Sequence, residues 1–233
     1  MLPAISHKHK CIFIHIPKTA GTSIESLGIF DDFQNLSNEK VGGHKTAIEV
    51  RNEYSAEFND YFKFCFVRNP WSRLLSAYIY LKNGGGNVKD KEIAENLLSK
   101  YSNFDEFCIG LKNDNLITEI IHLKPQYEFI YDSEGNALVD YIGKLESIDN
   151  DFTIICNKIS YTSALRHERK TKHKHYSTYY TEKSKEIVAS VYKKDIELFN
   201  YNFQRQNISD ALLDNINELK ILCCRIKNKF NNT

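Results

Sequence analysis

Two short apolar runs stand out from a mostly polar chain: "CIFIHI" at 11–16 and "YFKFCFV" at 61–67. Both are rich in Ile, Phe or Val, too short for a helix, and predict strands, the second one covered on both faces. Each run stops at a loop and gives way to helical spacing. Pro17 closes the first, and "GTSIESL" follows with Thr22 or Ser23 placed to cap a helix. "RNPWSRLLSAYIYL" follows the second; Asn69 is a good N-cap, and Pro70 falls at the first helical position, where its missing N–H costs nothing. Strand–loop–helix twice over is the unit of a parallel α/β sheet.

Helical spacing continues from Thr46 to Phe58, over 90–100 and 103–123, over 149–159, and from Thr181 to Phe199. "YEFIYDSEGNALVDYIGKLE" predicts a strand, a turn at Ser133–Asn136 and a second strand. The stretch 28–43 is polar and turn-rich, and "NGGGN" at 83–87 is a flexible break. With no internal repeat and no long linker, the economical organisation is one domain over 1–205 with a C-terminal amphipathic helical extension over 206–233. That extension reads as a docking helix or a homo-oligomer contact.

Charge changes the picture in one respect. The 233 residues carry Lys+Arg 31 against Asp+Glu 30, which argues against a nucleic-acid coat, so any anion site must come from local clustering. No apolar run approaches the ~20 residues that span a bilayer. "MLPAISHKHKCIFIHI" reads as the approach to the first core strand and not as a secretion signal, so the expectation is a cytoplasmic, bacterial protein, with a trimmed Golgi-lumenal domain as the alternative. The six cysteines lack a C-x-x-C pair and are expected to be buried free thiols; no metal site is expected.

The candidate chemistry lies at the two strand ends. A strand running through a tight loop into a helix gathers unpaired backbone N–H groups around one point, and the helix dipole adds partial positive charge. Gly21 lets the backbone approach an anion, the Thr22 and Ser23 hydroxyls can add hydrogen bonds, and Lys18 supplies a point charge. The pattern is not the P-loop G-x-x-x-x-G-K-[ST], because the lysine stands three residues before the glycine, and no acidic metal partner ends the second strand. Arg68 directly follows that second strand, at the edge where α/β sheets bind ligands, and Ser76 lies two helical turns beyond the cap. Arg68 and Ser76 can grip a second phosphate. The alternative makes Arg73 and Ser76 solvated helix positions and Trp71 a core plug, and for Trp71 the plug is preferred.

Two anion sites on adjacent strand ends suit a nucleotide phosphorylated at both ends. "HIPKTAGTS" together with "FVRNPWSRLLSAY" resembles the 3′-phosphoadenosine 5′-phosphosulfate (PAPS)-dependent sulfotransferases, nearest to the carbohydrate type that includes heparan sulfate and uronyl 2-O-sulfotransferases. Weaker similarity continues through "GHKTA", "KPQYEFIYDSEGNALVDYIGKLE" and "YKKDIELFNY", over roughly 11 to 203. The resemblance implies a single α/β domain with a central parallel sheet flanked by helices, related to nucleotide kinases, with PAPS as sulfate donor and no metal. It implies that Pro17, Lys18, Thr19, Ala20, Gly21, Thr22 and Ser23 bind the 5′-phosphosulfate and that Arg68 and Ser76 bind the 3′-phosphate. It also places a loop at Lys170, Thr171 and Lys172 over the nucleotide, although the Asn usual in that loop is absent here.

Transfer to a hydroxyl needs a general base, and histidine suits working pH best. Of eight histidines, His44 in "VGGHKTA" stands where the family places a loop histidine facing the sulfuryl group. His15 reads as a packed side chain, and His122 as a reserve for acceptor binding. The resulting expectation is in-line sulfuryl transfer to a carbohydrate hydroxyl, with His44 as base and Lys18 stabilising the leaving phosphate oxygen. The basic segment 165–176 reads as a nucleotide or substrate contact, or as a solvated loop. Two alternatives stay open: a P-loop-like small-molecule kinase, and a non-catalytic nucleotide- or glycan-binding module.

Overall fold

The computed structural model describes residues 2–31, 43–162 and 174–206. Four strands, β1 (Ala4–Ser6), β2 (Cys11–Ile14), β3 (Phe62–Val67) and β4 (Tyr141–Lys144), form a sheet in the order β1-β2-β3-β4. Strands β2, β3 and β4 are parallel, with Ile14 opposite Cys65 and Val67 opposite Lys144. The α/β class expected from the sequence holds, with one addition. The chain enters through a β1–β2 hairpin, Ile5 opposite Ile12, so the sheet has an antiparallel edge.

Ten helices accompany the sheet among the described residues: α1 (Gly21–Glu25), α2 (Ala47–Glu53), α3 (Ser55–Asp60), α4 (Pro70–Lys82), α5 (Val88–Asn96), α6 (Phe104–Asn113), α7 (Leu116–Glu119), α8 (Ile148–Lys158), α9 (Glu182–Val191) and α10 (Lys193–Leu198). Side chains alternate along a strand, and β3 uses both faces for core. Phe64 and Phe66 join Phe13, Ile24, Phe152 and Ile155 on one side, whereas Cys65 and Val67 join Ile12, Ile14, Val50 and Phe58 on the other. A third cluster, including Leu74, Leu81, Phe107, Leu111, Val188 and Tyr192, ties α4 to α6 and α9. Burial of β3 on both faces explains its nearly unbroken apolar run. Cys11, Cys65, Cys108 and Cys156 are buried free thiols, as expected.

Several predicted elements are corrected. The helix expected over Thr46–Phe58 breaks at Tyr54, and the one expected over Thr181–Phe199 breaks at Tyr192, which is buried and donates its hydroxyl to the Leu123 carbonyl. The stretch expected as one helix over 103–123 is α6, α7 and a 3-10 turn at Ile121–Leu123. No strand precedes the turn at 133–136. Residues Gln126–Phe129 form a 3-10 turn because the buried Asp195 carboxylate accepts the Gln126 and Tyr127 N–H groups, and only a single bridge, Tyr131 to Ala137, remains of the expected pairing. The C-terminal extension lies outside the described residues beyond 206.

Candidate active site

The parallel order of β2 and β3 brings the two candidate loops side by side at their C-terminal ends. In the first, Lys18 and Ala20 both adopt left-handed backbone, with φ of 69° and 70°. The Thr19 hydroxyl is buried and donates to the Ile16 carbonyl at 2.8 Å, so it braces the loop and does not face solvent. Among the described residues no backbone carbonyl takes the N–H groups of Thr19, Ala20, Gly21 or Thr22, which leaves those donors for an anion. Neither Thr22 nor Ser23 is the cap. Helix α1 starts at Gly21, the cap position is Ala20, and no side chain bonds there. Thr22 is exposed and Ser23 is buried within the helix. Because α1 is only five residues long, its dipole adds little, and the loop amides and Lys18 must carry the attraction.

Gly21 is required for a second reason. A Cβ there would lie 1.9 Å from His15 Nε2. The His15 ring fills that space, stacks at 5.6 Å on Phe13 and places Nδ1 2.8 Å from Glu25 Oε1. His15 is thus a packed side chain, as the sequence suggested.

At the second loop, the predicted start of α4 holds. Asn69 accepts the Ser72 N–H, and Pro70 is the first helical residue. The Arg68 guanidinium reaches back to the first loop, donating to the Lys18 carbonyl at 3.3 Å, and donates twice to the Ser72 hydroxyl at 3.1 and 2.9 Å. Burial lowers its pKa to about 10, so it keeps its charge. Gln126 fixes the Arg68 backbone from both sides, accepting its N–H and donating to its carbonyl, each at 2.9 Å. Ser76 is buried farther along α4 and is not among the Arg68 partners described here.

Arg73 does not take the solvated position that the alternative reading gave it. It is 2% exposed and donates to the carbonyls of Pro17 (2.9 Å), His122 (3.3 Å) and Lys124 (3.0 Å). It ties the first loop to the segment carrying His122. Trp71 is a core plug, with its indole N–H on the Lys185 carbonyl.

His44 sits beside the first loop. Its Nδ1 lies 3.1 Å from the His15 carbonyl oxygen, so that nitrogen carries the proton and Nε2 keeps the lone pair. Its ring meets the His15 ring edge-on at 4.5 Å and the His122 ring at 5.6 Å. Burial, followed by the nearness of His15 and in smaller measure of His122 and Arg73, outweighs the carbonyl bond and pushes His44 down to about 3. The imidazole is therefore neutral at neutral pH, the form that accepts a proton.

His122 lies in the 3-10 turn and is drawn into this cluster. Its Nε2 is 3.0 Å from Asp90 Oδ1. The other oxygen of Asp90 accepts from the Tyr80 hydroxyl at 2.7 Å, the Gly86 N–H at 3.1 Å and the Asn87 amide at 2.9 Å. Burial alone would raise the Asp90 pKa, but these bonds and His122 outweigh it and hold the carboxyl below its ordinary value. The Tyr80 ring in turn lies 3.7 Å beneath the Lys18 ammonium.

The structure thus brings together Pro17, Lys18, Thr19, Ala20, Gly21, His44 and Arg68. Lys170, Thr171 and Lys172 lie outside the described residues. Sequence reasoning missed Ser72, Arg73, Tyr80, Asp90 and Gln126. Asn87 caps α5 by accepting the Asp90 N–H, a spacing that by itself carries no sign of the His122 contact. Among the described residues, no group of three or more His, Cys, Asp or Glu is arranged to hold a metal ion, and no helix is long and apolar enough to cross a membrane.

A model of the sulfotransferase family matches residues 4–202. The chain is 24% identical to carbohydrate sulfotransferase 14 of Danio rerio over 195 residues, 73% of this chain and 52% of that protein. It is 31% identical to carbohydrate sulfotransferase 10 of Xenopus laevis over 85 residues, 32% of this chain and 24% of that protein. An uncharacterized protein of Archaeoglobus fulgidus is 27% identical over 114 residues, 47% of this chain and 78% of the relative. The chain therefore spans about half or less of the two carbohydrate sulfotransferases. No solved structure matches. With the family match running from β1 past α10, the chain belongs to the sulfotransferase family.

Proposed function

We propose that this chain transfers the sulfuryl group of PAPS to a hydroxyl of a carbohydrate acceptor. The observation that carries the reading is the meeting of an open amide loop bearing Lys18, the Arg68 guanidinium and a tautomer-fixed His44 at two adjacent strand ends. The N–H groups of residues 19–22, which meet no backbone carbonyl among the described residues, and the Lys18 ammonium fit a 5′-phosphosulfate, and Arg68 fits a phosphate one strand away. Ser76 belongs to the same proposal, as a hydroxyl that would reach that phosphate. The names of the two vertebrate relatives favour a carbohydrate acceptor.

PAPS supplies an activated sulfuryl group; the chain supplies position, charge and a proton acceptor. His44 Nε2 takes the proton of the acceptor hydroxyl while the oxygen's electron pair forms the new O–S bond. The old S–O bond breaks toward the phosphate oxygen, where Lys18 meets the growing charge. An anion bound beside His44 raises its proton affinity from the low value of the empty site, which brings the base toward its working range. A sulfuryl group carries less negative charge than a phosphoryl group, so a lysine and amide dipoles suffice, and transfer should persist in EDTA.

The decisive experiment is an acceptor screen with ³⁵S-labelled PAPS, read by mass and by position of sulfation. Lys18→Ala and His44→Ala should each abolish transfer, whereas only Lys18→Ala and Arg68→Ala should strongly weaken nucleotide binding. Near-normal turnover in His44→Ala removes the base assignment. Tight binding of adenosine 3′,5′-bisphosphate without transfer to any acceptor would instead make the chain a binding module.

A further inference from the structure

One buried side-chain atom among the described residues has no hydrogen-bond partner: Nδ1 of His122. Asp90 makes the observation specific. A carboxylate held in its ionised form accepts from Nε2, so Nε2 carries the proton and Nδ1 is a bare lone pair inside the protein. His122 is 6% exposed and Asp90 4%. A histidine kept only for packing would gain nothing from an acceptor left without a donor, which is costly in a buried site.

We infer that His122 and Asp90 form a positioning dyad behind the proposed His44 base, a reserved lone pair backed by a fixed negative charge for the moment His44 becomes imidazolium. This rests on the sulfotransferase reading of the site. In the empty protein His44 is neutral and offers only its Nδ1–H, which the His15 carbonyl already holds. On taking the acceptor's proton it gains a second N–H and a positive charge. The centre of the His122 ring lies 5.6 Å from that of His44, so the hydrogen-bonded His122–Asp90 pair stands beside the new positive charge, and the Asp90 carboxylate opposes it.

The other groups around the pair make a counter-charge useful. His44 faces His15 from the end of β2, with Glu25 of α1 bonded to that ring, and faces Arg73 from α4. His122 faces Arg73 and Lys18 in addition to Asp90, and packs edge-on against Tyr80 at 5.1 Å. Arg73 and Lys18 are cationic and disfavour another positive charge; Asp90 is the carboxylate bonded directly to the pair. Through Tyr80 the same carboxylate also braces the ring under Lys18, so one side chain supports both ends of the reacting line.

The test is Asp90→Asn, which keeps shape and an acceptor oxygen but removes the charge. Loss of a negative charge lowers the proton affinity of His44, so the acid limb of the kcat profile should move to lower pH. Plateau kcat should fall between about threefold and tenfold, because a weaker base transfers protons less well. A purely structural bond would change stability and leave the limb in place. An unchanged limb with kcat within twofold, in a variant that folds, overturns the dyad.

Should Asp90→Asn not fold, His122→Phe keeps a ring of similar size but lacks both the donor to Asp90 and the lone pair; wild-type kcat in that variant overturns the inference equally. Failure of the sulfotransferase reading is seen separately, as absence of transfer by the wild-type protein. The dyad is then judged by NMR titration of isotope-labelled His44 with adenosine 3′,5′-bisphosphate present: a lower His44 pKa in Asp90→Asn supports it, and an unmoved one refutes it.

Discussion

The two strand-to-helix junctions perform similar tasks by opposite means. At the second, local rules are satisfied throughout: Asn69 caps, Pro70 starts the helix, and α4 runs for 13 residues. At the first, they are broken: two non-glycine residues in left-handed backbone, no side-chain cap, and a helix of five residues. A loop that satisfies its own amides has none left for a ligand. The first junction leaves its donors open at the expense of local stability, and the second supplies the rigid frame from which Arg68 and Arg73 hold it in place.

That contrast can be broken at either junction. The largest effect is expected at Lys18: Lys18→Ala should lower transfer by at least about 100-fold, the scale of losing a main electrostatic contact in a transition state. Its melting temperature should stay near that of the parent, which a thermal scan checks. Next comes Gly21→Ala, where the new methyl meets the His15 imidazole. It should destabilise the protein by about 1–3 kcal/mol, as overpacking does, and impair transfer. Combining it with His15→Ala should restore much of the stability in urea titrations. At the second junction Asn69→Ala removes a cap and should cost about 1 kcal/mol of stability, with transfer per folded molecule little changed.

A last effect is confined to acid. His44 has a folded pKa of about 3 against an ordinary 6.5, so below about 6.5 the unfolded chain binds a proton that the native protein refuses. Stability contributed by this group is complete above 6.5 and declines as pH falls toward 3. His44→Gln should therefore flatten part of the stability loss over that window, as measured by urea midpoints at successive pH values.

How much of this was legible in the sequence follows from where the determinants lie. Strands β2 and β3 and the start of α4 rest on residues close together in the chain, so spacing alone revealed them. Asp195 sits 69 positions from Gln126, yet it converts an expected strand into a 3-10 turn by capturing two N–H groups. Asp90 lies 32 positions from His122, and nothing in "NVKDKE" says that its carboxylate serves anything beyond its own helix. A solvated Arg73 was only the alternative reading, and no role was assigned to it; its position beneath three loop carbonyls depends on segments that folding brings together.

The contact between Gly21 and His15 reaches further than the loop. The His15 ring occupies the space a side chain at 21 would need, and the His15 carbonyl sets which nitrogen of His44 is free. A disturbance at Gly21 is thus transmitted through a single residue to His44, the proposed base. Under the proposed function, variants here should not sort cleanly into donor-affinity and acceptor-turnover classes: position 21 then belongs genetically to both halves of the reaction, and any redesign of this loop is also a redesign of the proposed proton acceptor.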